Sequence, residues 1–159
     1  MQEILKALER NARATPAQIA SMTGTTPETV IAKTAQWESE GIIKRYKTVV
    51  DWERFGEERV FAFIDVSLMP SRGVGFDDVA ERIYRYPEVH SVYLVSGSAD
   101  LRCVVSGNDI REIADFVAKK LSTIDRITAT STHFLLKKYK EDGEIFAESE
   151  PDHRLVVSP

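Results

Sequence analysis

The stretch TTPETVIAKTAQWESEG, residues 25–41, carries the start and stop signals of one amphipathic helix. Thr26 is a good N-cap, Pro27 suits the first helical position, and Gly41 can end the helix in a left-handed conformation. At about 100° per residue, one face collects residues that can pack on a neighbour; they are Val30, Thr34 and Trp37. The stretch therefore predicts a surface helix whose role depends on its surroundings.

Two further helices are predicted upstream of this one. The first shows apolar residues at helical spacing, namely Ile4, Leu5, Leu8 and Ala12. The second begins in TPAQIASM, where Thr15 can cap, Pro16 takes the first position and Gln18 completes a capping box. The last two helices are joined by a short turn that contains Gly24. Three short helices in this order predict a helix-turn-helix.

The rest of the chain predicts a second domain behind a linker. The β-branched stretch IIKRYKTVVDW (42–52) predicts a strand or wing, which would complete a winged helix-turn-helix domain over residues 1–50. Residues 51–58, DWERFGEE, are polar and predict a linker. Residues 59–140 alternate strand and helix patterns in the order βαββαβ, which predicts an α+β, ferredoxin-like domain. Residues 141–159 form an acidic C-terminal tail.

Both faces of the predicted sheet carry large apolar side chains. In the strand RVFAFIDVSLM (59–69), smaller aliphatic residues alternate with Phe61 and Phe63. The last strand is predicted to add Phe134 to the second face. Two helices cover only one face, and soluble monomers rarely expose such a patch. We therefore expect the second face to pack on another copy of the chain, which predicts at least a homodimer.

Charge and composition exclude several classes of protein. The 159 residues have a net charge of −4, but residues 141–159 alone hold six acids against one arginine. The overall acidity is thus no argument against nucleic-acid binding by the front of the chain. No apolar run approaches the roughly 20 residues of a membrane span, and the charged opening MQEILKALER does not fit a signal peptide. A cytoplasmic protein without membrane contact is expected.

Cysteine and histidine usage predicts neither a metal site nor an enzyme. Cys103 is the single cysteine, and its apolar, strand-like context favours a buried thiol. His90, His133 and His153 lie far apart, with no cysteine or carboxylate at metal-ligand spacing. The sequence contains no phosphate loop, nucleophile elbow or paired-carboxylate motif. No catalytic residue and no cofactor are therefore predicted.

Four fragments in the right order resemble the Lrp/AsnC (leucine-responsive and asparagine regulator) transcription factors. They are ILKALERNARATPAQIA (4–20), GTTPETV with ESEGIIKRY (24–30 and 38–46), YPEVHSVYLVSGSADL (86–101) and ITATSTHFLLKKYK (127–140). The resemblance implies a sequence-specific DNA-binding regulator whose C-terminal domain dimerises. It also implies further assembly, to tetramers or octamers, and binding of an amino acid or a related small molecule.

The resemblance places the 25–41 helix against double-stranded DNA. The family commonly has Arg or Lys where Ala32, Ala35 and Gln36 stand, so that Lys33 is the cation that this helix keeps. Fewer cations should weaken phosphate binding. The predicted DNA-binding residues are Thr26, Thr29, Lys33 and Gln36 on the helix, followed by Lys44, Arg45 and Lys47. The alternative is a metabolite-sensing oligomeric interaction protein with weak or no DNA binding.

The loop SGSAD, residues 96–100, is the predicted small-molecule site. Backbone N–H groups around Gly97 and Ser98 can bind a carboxylate, and Asp100 can accept a hydrogen bond from an ammonium group. Alternatively, Gly97 and Asp100 only shape a hairpin turn. The resemblance matches both residues to the family's effector loop, and Thr132 to a threonine of the last strand that helps complete family sites. The predicted residues for an amino-acid effector are Ser96, Gly97, Ser98, Asp100 and Thr132.

Overall fold

The computed structural model describes residues 1–69 and 75–146. The chain divides into two units, Met1–Val50 and a second unit that begins at Asp51. Most of the predicted acidic tail, from residue 147 onward, lies outside the described residues. Within the described ranges, no helix has both the length and the apolar character needed to cross a membrane.

The N-terminal unit consists of three helices: α1 (Gln2–Arg10), α2 (Pro16–Thr23) and α3 (Pro27–Ser39). The predicted capping box is present, because the Thr15 hydroxyl accepts from the Gln18 N–H at 3.3 Å and the Thr15 N–H donates to the Gln18 side chain at 2.8 Å. Thr26 caps α3 by accepting from the Thr29 N–H at 3.3 Å. Gly24 takes the left-handed conformation, with φ of 65°, in the turn between α2 and α3.

Four buried residues hold the three helices together: Ile4, Ile19, Ala20 and Val30. Leu8 and Trp37 pack against this cluster. Removing each branched side chain from water contributes about 2 kcal/mol, which is offset by the conformational entropy lost on folding. Because Val30 and Trp37 face the cluster, the opposite side of α3 is left exposed.

The predicted strand or wing after α3 is not formed. Residues 42–50 have no strand partner in the N-terminal unit, all of which the structure describes. β-Branched residues favour a strand only where a ladder is available. The segment instead follows the end of α3, where the Ile42 and Ile43 N–H groups donate to the Trp37 carbonyl at 2.9 and 3.1 Å. The N-terminal unit is a helix-turn-helix without a wing.

The second unit opens with a short helix inside the predicted linker. Helix α4 (Trp52–Phe55) is capped by Asp51, whose carboxylate accepts a hydrogen bond from the Arg54 N–H at 2.9 Å. Gly56 ends the helix in a left-handed conformation with φ of 98°. The segment 51–58 is therefore partly helical.

The predicted βαββαβ order is confirmed. The elements are β1 (Val60–Leu68), α5 (Asp77–Tyr84), β2 (Val89–Leu94), β3 (Leu101–Gly107), α6 (Ile110–Lys119) and β4 (Ile127–Phe134). The strands lie in the order β2-β3-β1-β4, and each neighbouring pair is antiparallel. This is the α+β, ferredoxin-like arrangement. A small hairpin follows, with β5 (Lys140–Glu141) paired to β6 (Glu144–Ile145).

The two faces of the sheet carry different residues. One face packs with α5 and α6 around a core of residues that are at most 1% exposed, among them Ile64, Val66, Leu101, Cys103, Ile83 and Ile113. Neighbouring residues along a strand point to opposite faces. The other face, here called the open face, therefore carries Phe61, Phe63 and Asp65 from β1 and Arg102 from β3.

The prediction that Phe134 belongs to the open face is wrong. Phe134 pairs with Ala62 in the ladder between β1 and β4 and packs against the helix-covered core. The cause is a β-bulge, because Ser67 pairs with Ala129 while Leu68 pairs with Ile127. The extra residue inverts the alternation along the rest of β4. Counting alternate residues from the start of the strand therefore gives the wrong face.

Candidate functional site

Helix α3 exposes most of the residues predicted to face DNA. The exposed side, here called the outward face, consists of Glu28, Ala32, Ala35, Gln36 and Ser39. Thr26 is exposed at the cap, while Thr29 and Lys33 are half-buried on the flank. The buried Val30 lies on the opposite side. The outward face thus has the position of a recognition helix, which presents one side to a groove.

A chain of hydrogen bonds joins Lys33 on the flank of α3 to Gln36 on the outward face and to Glu40 after the end of the helix. Lys33 Nζ donates to Gln36 Oε1 at 3.0 Å, and Gln36 Nε2 donates to Glu40 Oε1 at 2.7 Å. Both ends of the Gln36 amide are thereby in use. Each group keeps one further hydrogen-bonding position, so Gln36 can read an adenine edge with those positions or after it gives up these partners. Exposed contacts of this kind contribute less than about 1 kcal/mol, so DNA can compete for them.

The N-terminus of α3 carries a negative charge. Glu28 lies in the first turn and is exposed. Hydrogen bonds from its own backbone N–H and from the Thr26 hydroxyl lower the pKa of the Glu28 carboxyl. The amino end of a helix otherwise attracts anions such as a DNA phosphate. Glu28 is ionised at neutral pH and works against phosphate binding at this end of α3.

Three predicted DNA-binding cations follow α3 in the segment without a strand. Lys44, Arg45 and Lys47 are exposed. The Tyr46 hydroxyl donates to Glu38 Oε1 at 2.8 Å, which ties the segment to α3. Desolvation and this contact raise the pKa of Tyr46, so that it remains a neutral donor. The segment therefore keeps its positive charge beside the carboxyl end of α3.

The loop between β2 and β3 is fixed by its last residue. The Asp100 N–H donates to the Val66 carbonyl at 3.0 Å, and the Asp100 carboxylate accepts from the Leu68 N–H at 2.7 Å. The Val95 N–H donates to the Asp100 carbonyl at 2.9 Å. Between these anchors, Gly97 has φ of 119°, which L side chains rarely adopt. Asp100 therefore pins the loop to the end of β1, and Gly97 lets the chain turn.

A cavity of about 420 Å³ lies beside this loop. Its lining consists of loop residues 94–96, 98 and 99 together with Asp65 and Arg102, and we call it the loop cavity. Arg102 Nε donates to Asp65 Oδ1 at 2.6 Å, and Nη2 donates to Oδ2 at 2.8 Å. This is a bidentate pair, the strongest geometry that arginine and a carboxylate adopt. Its members are the two charged residues of the lining.

The two members of the pair differ in exposure. The Asp65 side chain is 15% exposed, whereas that of Arg102 is 48% exposed. The hydrogen bonds with Arg102 lower the pKa of the Asp65 carboxyl, and the same contact raises the pKa of Arg102. His133 Nε2 lies 3.7 Å from Asp65 Oδ2. Asp65 is thus a sheltered, ionised carboxylate, and Arg102 reaches towards solvent from it.

The structure brings together part of the predicted effector site. Ser96 and Ser98 line the loop cavity, and Gly97 lies between them in the chain. Asp100 does not line this cavity, because its carboxylate is turned to the backbone of β1. Of the predicted effector residues, the loop serines are therefore the ones that line the cavity.

Thr132 is not brought to the loop cavity. It pairs with the buried Ile64 and so lies on the helix-covered side of the sheet. The two charged lining residues that sequence reasoning missed are Asp65 and Arg102. Each is a single charge inside an apolar strand, in FAFIDVSL and LRCVV. Opposite charges embedded in two strands are a usable signal for a cross-strand pair, provided that the register is known.

A larger cavity, of about 680 Å³, lies where β1 begins. Its lining mixes aromatic residues, among them Trp52, Phe61 and Phe146, with charged residues of both signs. Lys138 Nζ lies 5.3 Å from the Phe61 ring centre and 4.8 Å from that of Phe146. None of the residues predicted to bind DNA or an effector lines this cavity.

Elsewhere in the part of the chain that the structure describes, the titratable residues give no further site. Within residues 1–69 and 75–146, no group of His, Cys, Asp and Glu is placed to hold a metal ion. Cys103 is fully buried, and burial raises the pKa of its thiol to about 12. The thiol is therefore protonated at neutral pH and belongs to the core, as the apolar context of Cys103 predicted.

Two family models match the two parts of the chain. The model of the Lrp/AsnC ligand binding domain matches residues 61–145, which is more than half of the chain. The model of the Crp-like helix-turn-helix domain matches residues 5–57. The first match lies within the sheet unit, and the second covers most of the helical unit and continues through α4.

Known proteins resemble the chain over nearly its whole length. The HTH-type transcriptional regulator YugG of Bacillus subtilis is 49% identical over 99% of this chain and 95% of the relative. The structure of E. coli AsnC matches with a TM-score of 0.68 and 26% identity, over 88% of this chain and 92% of that one. A feast or famine regulatory protein of M. tuberculosis, complexed with L-methionine, shares the fold with a TM-score of 0.73 and 22% identity, over 90% and 94%. This chain therefore belongs to the Lrp/AsnC family of transcriptional regulators, which are not enzymes.

Proposed function

We propose that this protein regulates transcription by sequence-specific binding of double-stranded DNA through α3, and that an amino acid controls this binding. The observation that carries the proposal is the exposed outward face of α3 on a frame with both helix caps in place. Those caps fix the helix pair that presents a recognition helix to DNA. The proposed DNA contacts are Thr26, Thr29, Lys33, Gln36, Lys44, Arg45 and Lys47.

One helix-turn-helix unit is expected to bind DNA weakly. Lys33 is the single basic residue between Pro27 and Ser39, and Glu28 opposes it from the first turn. Phosphate contacts supply most of the non-specific affinity. Two units in one assembly compensate by reaching successive major grooves about 34–36 Å apart. Specific binding is thus expected to depend on assembly.

The assembly that we propose is a homodimer formed through the open face of the sheet. Phe63 is 38% exposed there, and Val104 and Phe61 are half-buried beside it. Packing this face on a second copy removes the apolar patch from water. Further association to tetramers or octamers is the expected extension, as is action in the cytoplasm.

The proposed effector is an amino acid. Two observations support it: the loop cavity offers polar and charged groups, and solved relatives with the same fold are complexed with L-methionine. An amino acid that binds one arrangement of the assembly more tightly changes the affinity of the assembly for DNA. Bound DNA then changes the affinity of the assembly for the amino acid by the same factor.

A mobility-shift experiment tests this function. The full chain is mixed with DNA from upstream of its own gene at about 50 mM salt, where phosphate contacts are strongest. We expect a retarded complex whose midpoint changes when amino acids are added. The matched control is the Lys33→Ala/Gln36→Ala variant, which should retard the same DNA less. Absence of retardation of any upstream fragment by the wild-type chain would overturn the proposal.

A second candidate is a metabolite-sensing oligomer that contacts another protein through its helical unit. The observation in its favour is the low positive charge of α3, with Glu28 ionised at its N-terminus. It predicts stabilisation by an amino acid without any DNA retardation. The two candidates are therefore separated by the same mobility-shift experiment.

A further inference from the structure

Helix α3 carries an exposed apolar strip that the proposed DNA contacts do not use. Ile31 is 56% exposed, and Ala32 and Ala35 are exposed beside it. Side chains three or four positions apart on a helix are neighbours, so Ala35 is adjacent to both of the others. We call these three residues the apolar strip. Covering the strip with an apolar group of a partner removes its surface from water, which favours binding.

The position of the strip on α3 places it against bases. Ala32 and Ala35 belong to the outward face, and Ile31 lies at its border, about 40° around the helix from Ala35. A recognition helix that enters the major groove directs such a face at the edges of the bases, while phosphates lie to either side. The strip therefore meets the floor of the groove.

The major groove offers one apolar group to such a strip, the C5-methyl group of thymine. Cytosine carries a hydrogen atom at the same ring position. Guanine, in contrast, is most often read by Arg or Lys, and the outward face consists of Glu28, Ala32, Ala35, Gln36 and Ser39. The composition of the face therefore matches methyl groups better than guanine edges.

Gln36 adds a reader for the base opposite thymine. Lys33 only donates and the Glu40 carboxylate only accepts, so these two partners determine the orientation of the Gln36 amide. One lone pair of Oε1 and one N–H of Nε2 remain for another partner. This set of one acceptor and one donor matches N6 and N7 of adenine.

The charge around the strip favours DNA over a protein as the partner. Lys44, Arg45 and Lys47 are exposed in the segment that follows α3. The hydrogen bond from the Tyr46 hydroxyl to Glu38, at 2.8 Å, holds this segment beside the helix. Cations that flank a base-reading face complement the phosphates on either side of a groove.

We infer that α3 recognises the C5-methyl groups of pyrimidines through Ile31, Ala32 and Ala35. Together with adenine at Gln36, this contact supplies the sequence preference of the protein. The inference rests on the proposed function and names the chemical group that is read. Because that group is a methyl group, 5-methylcytosine provides the same contact as thymine. Methylation of cytosine within a bound site therefore changes the affinity of the protein for that site.

The first test uses the wild-type full chain and changes only the DNA. An upstream fragment that the chain retards is amplified with deoxyuridine triphosphate in place of thymidine triphosphate, which removes the C5-methyl groups outside the primers. One buried methyl group is worth roughly fourfold in affinity. The uracil fragment should therefore bind about tenfold more weakly or worse, because each helix-turn-helix unit loses several contacts. A fragment amplified with 7-deaza-deoxyguanosine triphosphate is the control, and it should bind like unmodified DNA.

The outcomes of this test separate the inference from the proposed function. Equal affinity for the thymine and uracil fragments would overturn the inference and leave the proposed function standing. Absence of retardation of any unmodified fragment would overturn both, and it would favour a protein partner for the strip.

The second test changes the strip. The Ala32→Ser/Ala35→Ser variant places hydroxyl groups on it and should lose most of the preference for thymine over uracil. Ala17→Ser is the matched control, because Ala17 is an exposed alanine of α2, and it should keep the wild-type preference. Should the double variant bind no DNA, Ile31→Ala takes its place, since alanine favours the helix, and its preference should also fall. A wild-type preference in the strip variant would overturn the inference.

The closing experiment moves the methyl group to cytosine. Within the site located by footprinting, single T·A pairs are replaced by C·G pairs and then by pairs of 5-methylcytosine with guanine. At one or more positions, cytosine should weaken binding about fourfold or more, and 5-methylcytosine should restore about twofold or more of this loss. If 5-methylcytosine restores nothing at any position where cytosine weakens binding, the inference is wrong.

Discussion

The outward face of α3 and the Asp65–Arg102 pair use polar side chains in opposite ways. On α3, Gln36 accepts a hydrogen bond from Lys33 and donates one to Glu40, and both bonds are local and exposed to solvent. In the sheet, Asp65 and Arg102 are 37 residues apart, and the strand register holds them together. Local, exposed contacts exchange partners readily, whereas a bidentate pair on paired strands keeps its geometry. The first surface is suited to a changing partner such as DNA, and the second to a fixed position within the sheet.

The largest expected effect is on the stability of the sheet unit, which holds the Asp65–Arg102 pair. Asp100→Ala removes the acceptor of the Leu68 N–H, and we expect the free energy of unfolding of the sheet unit to fall by about 1–3 kcal/mol. Urea unfolding followed by circular dichroism measures it. Asp100→Asn is the matched control, because its amide oxygen can still accept from that N–H. An Asp100→Ala variant as stable as the wild type would show that Asp100 does not pin the loop.

The next effect is a pH dependence of the same unit. Arg102 lowers the pKa of Asp65 in the folded state, so the folded state binds a proton here less readily than the unfolded chain. The stabilisation is therefore complete above the ordinary Asp pKa of about 4 and is lost as the pH falls through the lower folded value. Unfolding of the wild type and the Asp65→Asn/Arg102→Gln variant between about pH 2 and 6 measures it. If the variant lost as much stability at acid pH as the wild type, the Asp65–Arg102 pair would not be the cause of the pH dependence.

Features that depend on neighbouring residues were predictable from the sequence. The capping box of Thr15 and Gln18 and the cap at Thr26 need only residues three apart, and both are present. The order βαββαβ followed from periodicity in the same way. The resemblance to a family then joined these parts into one architecture.

Features that depend on strand register were not predictable from the sequence. Phe134 lies on the helix-covered face because a bulge beside Ser67 shifts the alternation. The Asp65–Arg102 pair requires the register of β1 with β3. The stretch after α3 is rich in β-branched residues, but its unit contains no second strand, and the described residues 42–50 remain without a ladder. Which residues meet across a sheet is a tertiary property.

A smaller effect, on DNA affinity, is expected at α3, whose hydrogen bonds are local and exposed. Glu28→Lys replaces the anion at the N-terminus of α3 with a cation, so DNA affinity should rise about threefold to tenfold and the salt slope should steepen by about 0.9 per added phosphate contact. Fluorescence anisotropy with labelled upstream DNA measures both. Glu9→Lys is the control, because it makes the same charge change at an exposed position of α1. An equal gain in the control would mean that net charge alone is responsible.

The smallest effect is expected at the end of the hydrogen-bond chain on α3. Glu40→Gln exchanges an exposed carboxylate for an amide beside Gln36, so unfolding free energy should change by less than about 0.5 kcal/mol. DNA affinity should rise by less than in Glu28→Lys, since Glu40 lies after the last turn. Thermal unfolding and the same anisotropy assay measure the two effects. A large loss of stability would show that the hydrogen bonds of Gln36 with Lys33 and Glu40 stabilise the fold and are not readily exchanged.

The most direct test of the central claim, that α3 contacts DNA with its outward face and with Lys33 on its flank, is the salt dependence of DNA binding. Anisotropy titrations compare the wild type with Lys33→Met and with the control Lys119→Met, which removes an exposed lysine of α6. The wild type should bind at about 50 mM salt, and Lys33→Met should bind more weakly with a slope reduced by about 0.9, as for one lost phosphate contact. Lys119→Met should match the wild type. Identical affinity and slope for Lys33→Met and the wild type, or no binding by the wild type at low salt, would contradict the claim.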